Sequence, residues 1–170
     1  MYKILAFFLI FFMLINCFGL SNTKAFEIDK MYIGPSLGFV DYGNSLALGG
    51  SFEYAIDERI GLTADLAFSR FEEHWSRYDI DYTFIGLLFG GAYHIRPDEE
   101  LDPYLKFSLG YFDFSYEAPY TGAAYSAAYA RGLGYGAQIG IRYILNENML
   151  IKVGLGFPFF FTAGLDFSID

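Results

Sequence analysis

The sequence predicts an all-β fold, an eight-stranded antiparallel up-and-down barrel that spans a membrane. Three observations lead there. Beyond Phe26 the chain breaks into segments of about ten residues that alternate large apolar with small or polar side chains, split by turn-forming clusters. That region has no long helical period and no apolar run of roughly 18 residues, so it offers no membrane-spanning helix. The composition also suits lipid better than water, with 21% aromatic residues and 19 glycines but only 18% charged residues.

The first element is a leader. Lys3 precedes an apolar run from Ile4 to Leu20, and Ser21-Asn22-Thr23-Lys24-Ala25 follows, with Thr23 and Ala25 as a small-x-small end. This pattern predicts a secretory signal peptide over 1–25 and a barrel over 26–170. The length of the apolar run leaves an uncleaved anchor as the alternative. The leader holds Lys3 and Lys24 and no acid, so its removal takes the net charge from −9 to −11. An acidic exported chain is a poor partner for nucleic acid. The single cysteine, Cys17, lies in the leader, so the mature chain has no disulfide framework. Leu14-Ile15-Asn16-Cys17 resembles a lipoprotein lipobox, although Asn16 stands where a small residue is usual; lipidation of Cys17 is the alternative fate.

The strands follow at 32–40, 47–56, 60–69, 82–95, 103–112, 132–144, 149–157 and 161–169. One register per strand gathers a row of large apolar residues on one face, from Ile33, Leu37 and Phe39 to Val153, Leu155 and Phe157, with no charge among them. The other face collects most glycines, with Ser36, Ser51, Thr63, Ser108, Gln138 and Thr162. An eight-stranded lumen is just wide enough for side chains to fill, so the large residues must point outward and the small ones inward. The barrel is therefore apolar outside and faces lipid, and closure leaves no unpaired edge there. Two aromatic girdles support that orientation: Phe39, Phe68, Tyr111 and Phe157 at one end, Tyr54, Tyr93, Tyr143 and Phe167 at the other. Turns at 57–59, 96–102 and 145–148 are short and polar, as periplasmic turns are. The connections at 70–81 and 113–130 are long enough to be surface loops.

Six charged residues fall on the inner face: Glu53, Asp65 and Asp166, with Lys106, Arg142 and Lys152. A charge inside a membrane protein needs a partner or water, so these six are expected to form an interior ion-pair network that fills the lumen. The competing reading is a gated path in which the pairs exchange partners. His94 points inward beside them and is expected to join the network. Inward Tyr82, Phe84, Tyr104, Phe112 and Phe114 narrow the other half. No cofactor is implied, and His74 and His94 lack the cysteine or paired-histidine spacing of a metal site.

The chain resembles the small outer-membrane β-barrel family of the OmpA, OmpX and OmpW kind over 31–170. The resemblance rests on "YIGPSLGF" (32–39), "PYLKFSLGY" (103–111) and the hairpin "GYGAQIGIRYILNENMLIKVGLGF" (134–157). It implies the outer membrane of a diderm bacterium, reached through the periplasm, with outer-membrane lipid and the barrel-assembly machinery as partners. Thr162, Gly164, Phe167 and Ile169 resemble the C-terminal signal read by that machinery, with Asp170 where such barrels often end in an aromatic residue. Members serve as anchors, adhesins, narrow channels or lipid-modifying enzymes, so the fold leaves function open. The expected role is non-enzymatic: envelope integrity or adhesion, with an extracellular or host ligand at the tyrosine-rich 113–130 and the acidic 70–81. A narrow channel or lateral passage for small or apolar solutes is the alternative. His74 and Ser76 are similar to the histidine and serine of lipid A deacylases, with Glu72 or Glu73 as orienting acid. Arg77 replaces that family's asparagine, which makes hydrolysis a remote third reading.

Overall fold

In the computed structural model the described residues are 24–40, 45–75, 78–118 and 126–169, with side chains described for 24–39, 45–72, 81–115 and 131–169. Eight strands follow one another: β1 (Met31–Val40), β2 (Ser45–Ala55), β3 (Ile60–Trp75), β4 (Tyr78–His94), β5 (Leu101–Ala118), β6 (Ser126–Asn146), β7 (Met149–Phe157) and β8 (Phe159–Ile169). Each pairs antiparallel with the next, and β8 returns to β1 with Met31 opposite Ile169 and Ile33 opposite Phe167, which closes the barrel. The alternation of the sequence becomes an alternation of environment. Leu48, Leu66, Phe89, Phe107, Leu109 and Ile139 stand exposed on the outer wall, while Ala67, Leu88, Ala92 and Tyr104 are buried inside. No helix among the described residues is long and apolar enough to cross a membrane; the strands do so.

Inner glycines make room for the aromatic residues that share the lumen. A methyl group at Gly140 would overlap the Tyr104 ring, and one at Gly134 would overlap the Phe112 ring. Small-against-large packing of this kind fills a narrow barrel.

The strands are unequal. β1, β2, β7 and β8 have 9 to 11 residues, but β3 to β6 have 16, 17, 18 and 21. The segments 70–81 and 113–130, expected as loops, are therefore largely strand. β3 and β4 stay paired up to Trp75 opposite Tyr78, and β5 and β6 up to Ala118 opposite Ser126. The reason is that both faces of a strand beyond the membrane meet water, so pairing continues without the alternation that marks a lipid-facing strand. The neighbours stop earlier. β7 leaves β6 at Phe157 opposite Ala137, and β2 leaves β3 at Ala47 opposite Ser69. A four-stranded sheet thus projects above one side of the barrel, with lateral edges at 70–75 and 126–136 that carry no neighbouring strand among the described residues. At about 3.3 Å per residue and a tilt of roughly 40°, the longer edge rises on the order of 25 Å.

Candidate functional site

The lumen holds the one concentration of buried ionisable groups among the described residues. Inner positions of β2, β3, β4, β5, β6, β7 and β8 bring Glu53, Asp65, His94, Asp102, Lys106, Arg142, Lys152 and Asp166 together inside the barrel. Glu53, His94, Asp102, Arg142 and Asp166 are all buried. Asp102 accepts a hydrogen bond from His94 Nδ1 on one oxygen and from the Arg96 N–H, at 3.0 Å, on the other. His94 Nε2 faces Glu53 Oε1 at 2.8 Å, and Glu53 Oε2 accepts from Arg142 Nη2. Arg142 Nη2 lies 3.2 Å from Asp166 Oδ2, and Lys152 donates to Asp166 Oδ1 and contacts Ser51. A second pair, Lys106 with both oxygens of Asp65 at 2.9 and 3.0 Å, stands beside this chain.

His94 has a carboxylate oxygen at each ring nitrogen. A neutral imidazole has a single N–H, so this two-sided arrangement calls for the imidazolium. Four acids (Glu53, Asp65, Asp102 and Asp166) then meet four cations (His94, Lys106, Arg142 and Lys152), and the lumen carries no net charge. Neutrality of this kind is what lets charges stay out of water. Arg142 Nε and Nη1 have no hydrogen-bond partner, but the guanidinium carbon sits 4.7 Å from the Tyr32 ring centroid and 5.9 Å from that of Phe26. Those ring faces supply the cation–π stabilisation that replaces hydrogen bonds.

Two small cavities adjoin the charges. One of about 20 Å³ is bounded by Thr63, Tyr104 and Arg142. The other, about 50 Å³, lies beyond Lys106 and Lys152 among Ser36, Ser108, Gln138 and Thr162, under Phe157, Pro158 and Phe159. Gln138 bridges the Tyr104 hydroxyl, which donates to Oε1 at 3.3 Å, and Thr162 Oγ1, which accepts from Nε2 at 2.5 Å. Towards the projecting sheet the inner rings come together: Phe84 with Phe112 at 5.5 Å and Phe159 at 6.2 Å, Tyr82 with Phe114 at 5.6 Å and Phe71 at 4.9 Å.

Two participants escaped the sequence reading. Asp102 was assigned to the 96–102 turn, yet it is the second residue of β5 and fully buried. Its even spacing with inward Tyr104 and Lys106 was the available signal. Phe26 and Ala25, which precede any strand, are also fully buried, with Tyr32, Ala55, Ile144 and Leu150 at the short-turn end. The remaining site residues lie apart from the network. His74 is on β3 with its backbone opposite Asp79; its side chain and all of Ser76 lie outside the described residues. Thr162, Gly164, Phe167 and Ile169 lie on β8, with Gly164 opposite Ser36 and Thr162 opposite Gly38 across the closing seam.

A model of the outer membrane protein beta-barrel domain matches residues 10–169. The chain belongs to that family. It is accordingly a protein of the bacterial outer membrane, and its exposed apolar wall meets lipid. Among solved structures it is similar to Ail, the attachment invasion locus protein of Yersinia pestis, with a TM-score of 0.60 at 14% identity over 84% of this chain and 100% of that one. The N-terminal β-barrel domain of Pseudomonas aeruginosa OprF gives 0.59 at 17% identity over 84% and 98%. OprG from Pseudomonas aeruginosa gives 0.56 at 13% identity over 89% and 99%. Such identities speak for the fold alone. No curated protein matches the chain. In an outer-membrane barrel the short turns face the periplasm, so the projecting sheet is extracellular.

Proposed function

We propose that this outer-membrane barrel is a sealed, non-enzymatic scaffold that presents the β3–β6 sheet at the cell surface for interaction with a partner outside the cell. The observation that carries this reading is the inequality of the strands. Four strands continue well past the lipid while their neighbours stop, which leaves backbone donors and acceptors on two lateral edges and half-exposed rings (Phe71, Tyr82, Phe114) on the inner face. An edge of this length can add a strand from another chain, and exposed rings supply contact area. The neutral charge network, closely packed between aromatic rings, supports a rigid closed core in preference to a passage.

Ail has been solved in complex with the heparin analogue sucrose octasulfate, a polyanion. The projecting sheet here has different chemistry. Residues 70–81 and 113–131 carry the acids Glu72, Glu73, Asp79, Asp81, Asp113 and Glu117 against the bases Arg70, Arg77 and Arg131, a net charge of 3 − 6 = −3. A neutral or cationic partner fits that charge better than a sulfated sugar. Thr162, Gly164, Phe167 and Ile169 are proposed to be the residues that the barrel-assembly machinery reads before β8 closes on β1.

The test compares wild type with a variant whose 70–81 and 115–129 segments are shortened to tight turns. Both are expected to insert and show the heat-dependent gel shift, and only the wild type to confer binding to host cells or matrix proteins. Equal binding would overturn the surface role. Reproducible discrete conductance of the refolded wild type in planar bilayers, altered by Lys106→Ala, would replace it with the channel reading. Lipid A mass changes abolished by Ser76→Ala would replace it with the hydrolase.

A further inference from the structure

The two ends of the lumen are closed by different means. At the extracellular end the rings all belong to barrel strands, Phe159 at the start of β8 among them. At the periplasmic end the closure comes from 24–30, a segment outside every strand, which crosses the mouth. It joins β1 at Met31 and reaches back to the β4–β5 turn, on the opposite side of an eight-stranded barrel.

Its attachment is specific. The Phe26 ring lies parallel to that of His94, with centroids 3.8 Å apart at 11°, and stacks on Tyr32 at 5.5 Å and 16°. The Phe26 N–H donates to the Pro97 carbonyl at 3.2 Å, and the Glu27 N–H to the Tyr32 hydroxyl at 2.8 Å. Asp29 donates to the Ala55 carbonyl at 2.9 Å, and the Ala55 N–H returns a bond to the Lys30 carbonyl at 3.0 Å. At the rim, exposed Lys24 pairs with Asp98 at 2.5 Å, and Asp98 raises the lysine's pKa. These few bonds hold Phe26 at 1% exposure directly over His94 and Arg142, both of which are buried.

We propose that residues 26–30 act as a cis ligand of the barrel, a stopper whose Phe26 ring occupies an aromatic slot built by His94, Tyr32 and Arg142 and keeps periplasmic water off the charged network. The slot suits such an occupant. A protonated imidazole and a guanidinium present cationic faces to a π-system, while Tyr32 adds a stacking partner. Leader cleavage after Ala25 removes Lys24 and its pair with Asp98 but leaves the seat of Phe26, whose new ammonium keeps a donor for the Pro97 carbonyl. The stopper stands apart from the strands that close the barrel, so its removal opens the mouth without breaking the β1–β8 seam. This inference deepens the sealed-lumen reading and fails separately from it: a conducting wild type refutes the sealed lumen, whereas the measurement below refutes only the stopper.

The mature chain, with its leader removed, has no cysteine, so a single reporter suffices. Ala92 is buried on the inner face of β4, lines the cavity shared with Glu53 and Arg142, and accepts the small change to cysteine. Folded Ala92→Cys in lipid vesicles is treated with a small charged thiol reagent, with and without Phe26→Ala. Because local opening sets the rate, Phe26→Ala is expected to speed modification by on the order of tenfold or more. Synthetic Phe-Glu-Ile-Asp-Lys added in excess is expected to slow it again. Equal rates in the two backgrounds overturn the proposal. Loss of the heat-dependent gel shift in Phe26→Ala also overturns it, since a stopper is dispensable for closing the barrel. A second measurement needs no weakened variant. In a Trp75→Phe background, Phe26→Trp is expected to give blue-shifted emission shielded from acrylamide, and emission quenched like that of free tryptophan counts against the seat.

Discussion

Arg142→Met is the most informative perturbation of the charged lumen. Arg142 is 3% exposed, ion-pairs Glu53 and Asp166, and presents its flat face to Tyr32 and Phe26. Methionine keeps an unbranched stem of about the length of the arginine's aliphatic part and removes the guanidinium charge. Glu53 then keeps His94, Asp166 keeps Lys152 and the Ser51 hydroxyl, and the balanced group of eight acquires a net charge of −1 among buried side chains. Breaking a buried pair from one side costs about 3–5 kcal/mol, because the surviving partner stays desolvated. At about 1.4 kcal/mol per factor of ten, the folded-to-unfolded ratio falls by roughly two to three and a half orders of magnitude. The double variant Glu53→Gln/Arg142→Met removes one charge of each sign, so its loss is expected to be smaller than the sum of the two single losses. The assay is urea unfolding of refolded protein in lipid vesicles, followed by the heat-dependent gel shift and by tryptophan fluorescence, with a double-mutant cycle. If Arg142→Met unfolds within about 1 kcal/mol of wild type, the pair is water-screened and the closed-lumen argument is wrong.

Other consequences are open to simpler tests. Gly140→Leu forces a side chain into the Tyr104 ring and is expected to cost about 1–3 kcal/mol, seen as a lower urea midpoint; an unchanged midpoint would show that the lumen has slack. Leu109→Arg puts a charge on the lipid face at a position 71% exposed, at a cost of about 2–4 kcal/mol if it lies near the midplane. Full stability of that variant would mean the outer wall has been misoriented. Asp102→Asn keeps the shape but removes the charge beside His94, so it is expected to lower stability clearly more than Asp98→Asn at the exposed rim; equal effects would deny Asp102 a place in the network. Phe167→Asp with Ile169→Asp is expected to reduce the amount of barrel in the outer membrane while leaving the exported precursor level unchanged, measured by fractionation and gel shift.

The elements differ in how well their sequences announced them. β1, β2 and β7 were legible nearly to the residue because lipid on one side and a crowded lumen on the other enforce a period of two at every position. β3 to β6 were legible only within the membrane. Past Phe68 and Tyr111 that contrast of environments disappears, and the residues read as loops although they pair. Asp102 was hidden by its neighbours, since Pro97-Asp98-Glu99-Glu100 and Pro103 make the stretch look like a turn throughout. Phe26 was hidden by isolation. A single aromatic residue next to the expected leader has no periodicity to show which way it points.

What the sequence determined by itself is the barrel: the number of strands, the face that meets lipid, and the inward charges other than Asp102. These follow from local alternation, which any chain placed between lipid and a narrow lumen must obey. What only the tertiary structure decided is which charges meet, that His94 completes their balance between Asp102 and Glu53, how far the β3–β6 sheet outgrows its neighbours, and that Phe26 covers the periplasmic mouth. Each depends on residues far apart in the chain, brought together by the closure of β8 onto β1, and a repeat of two residues carries no record of such distances.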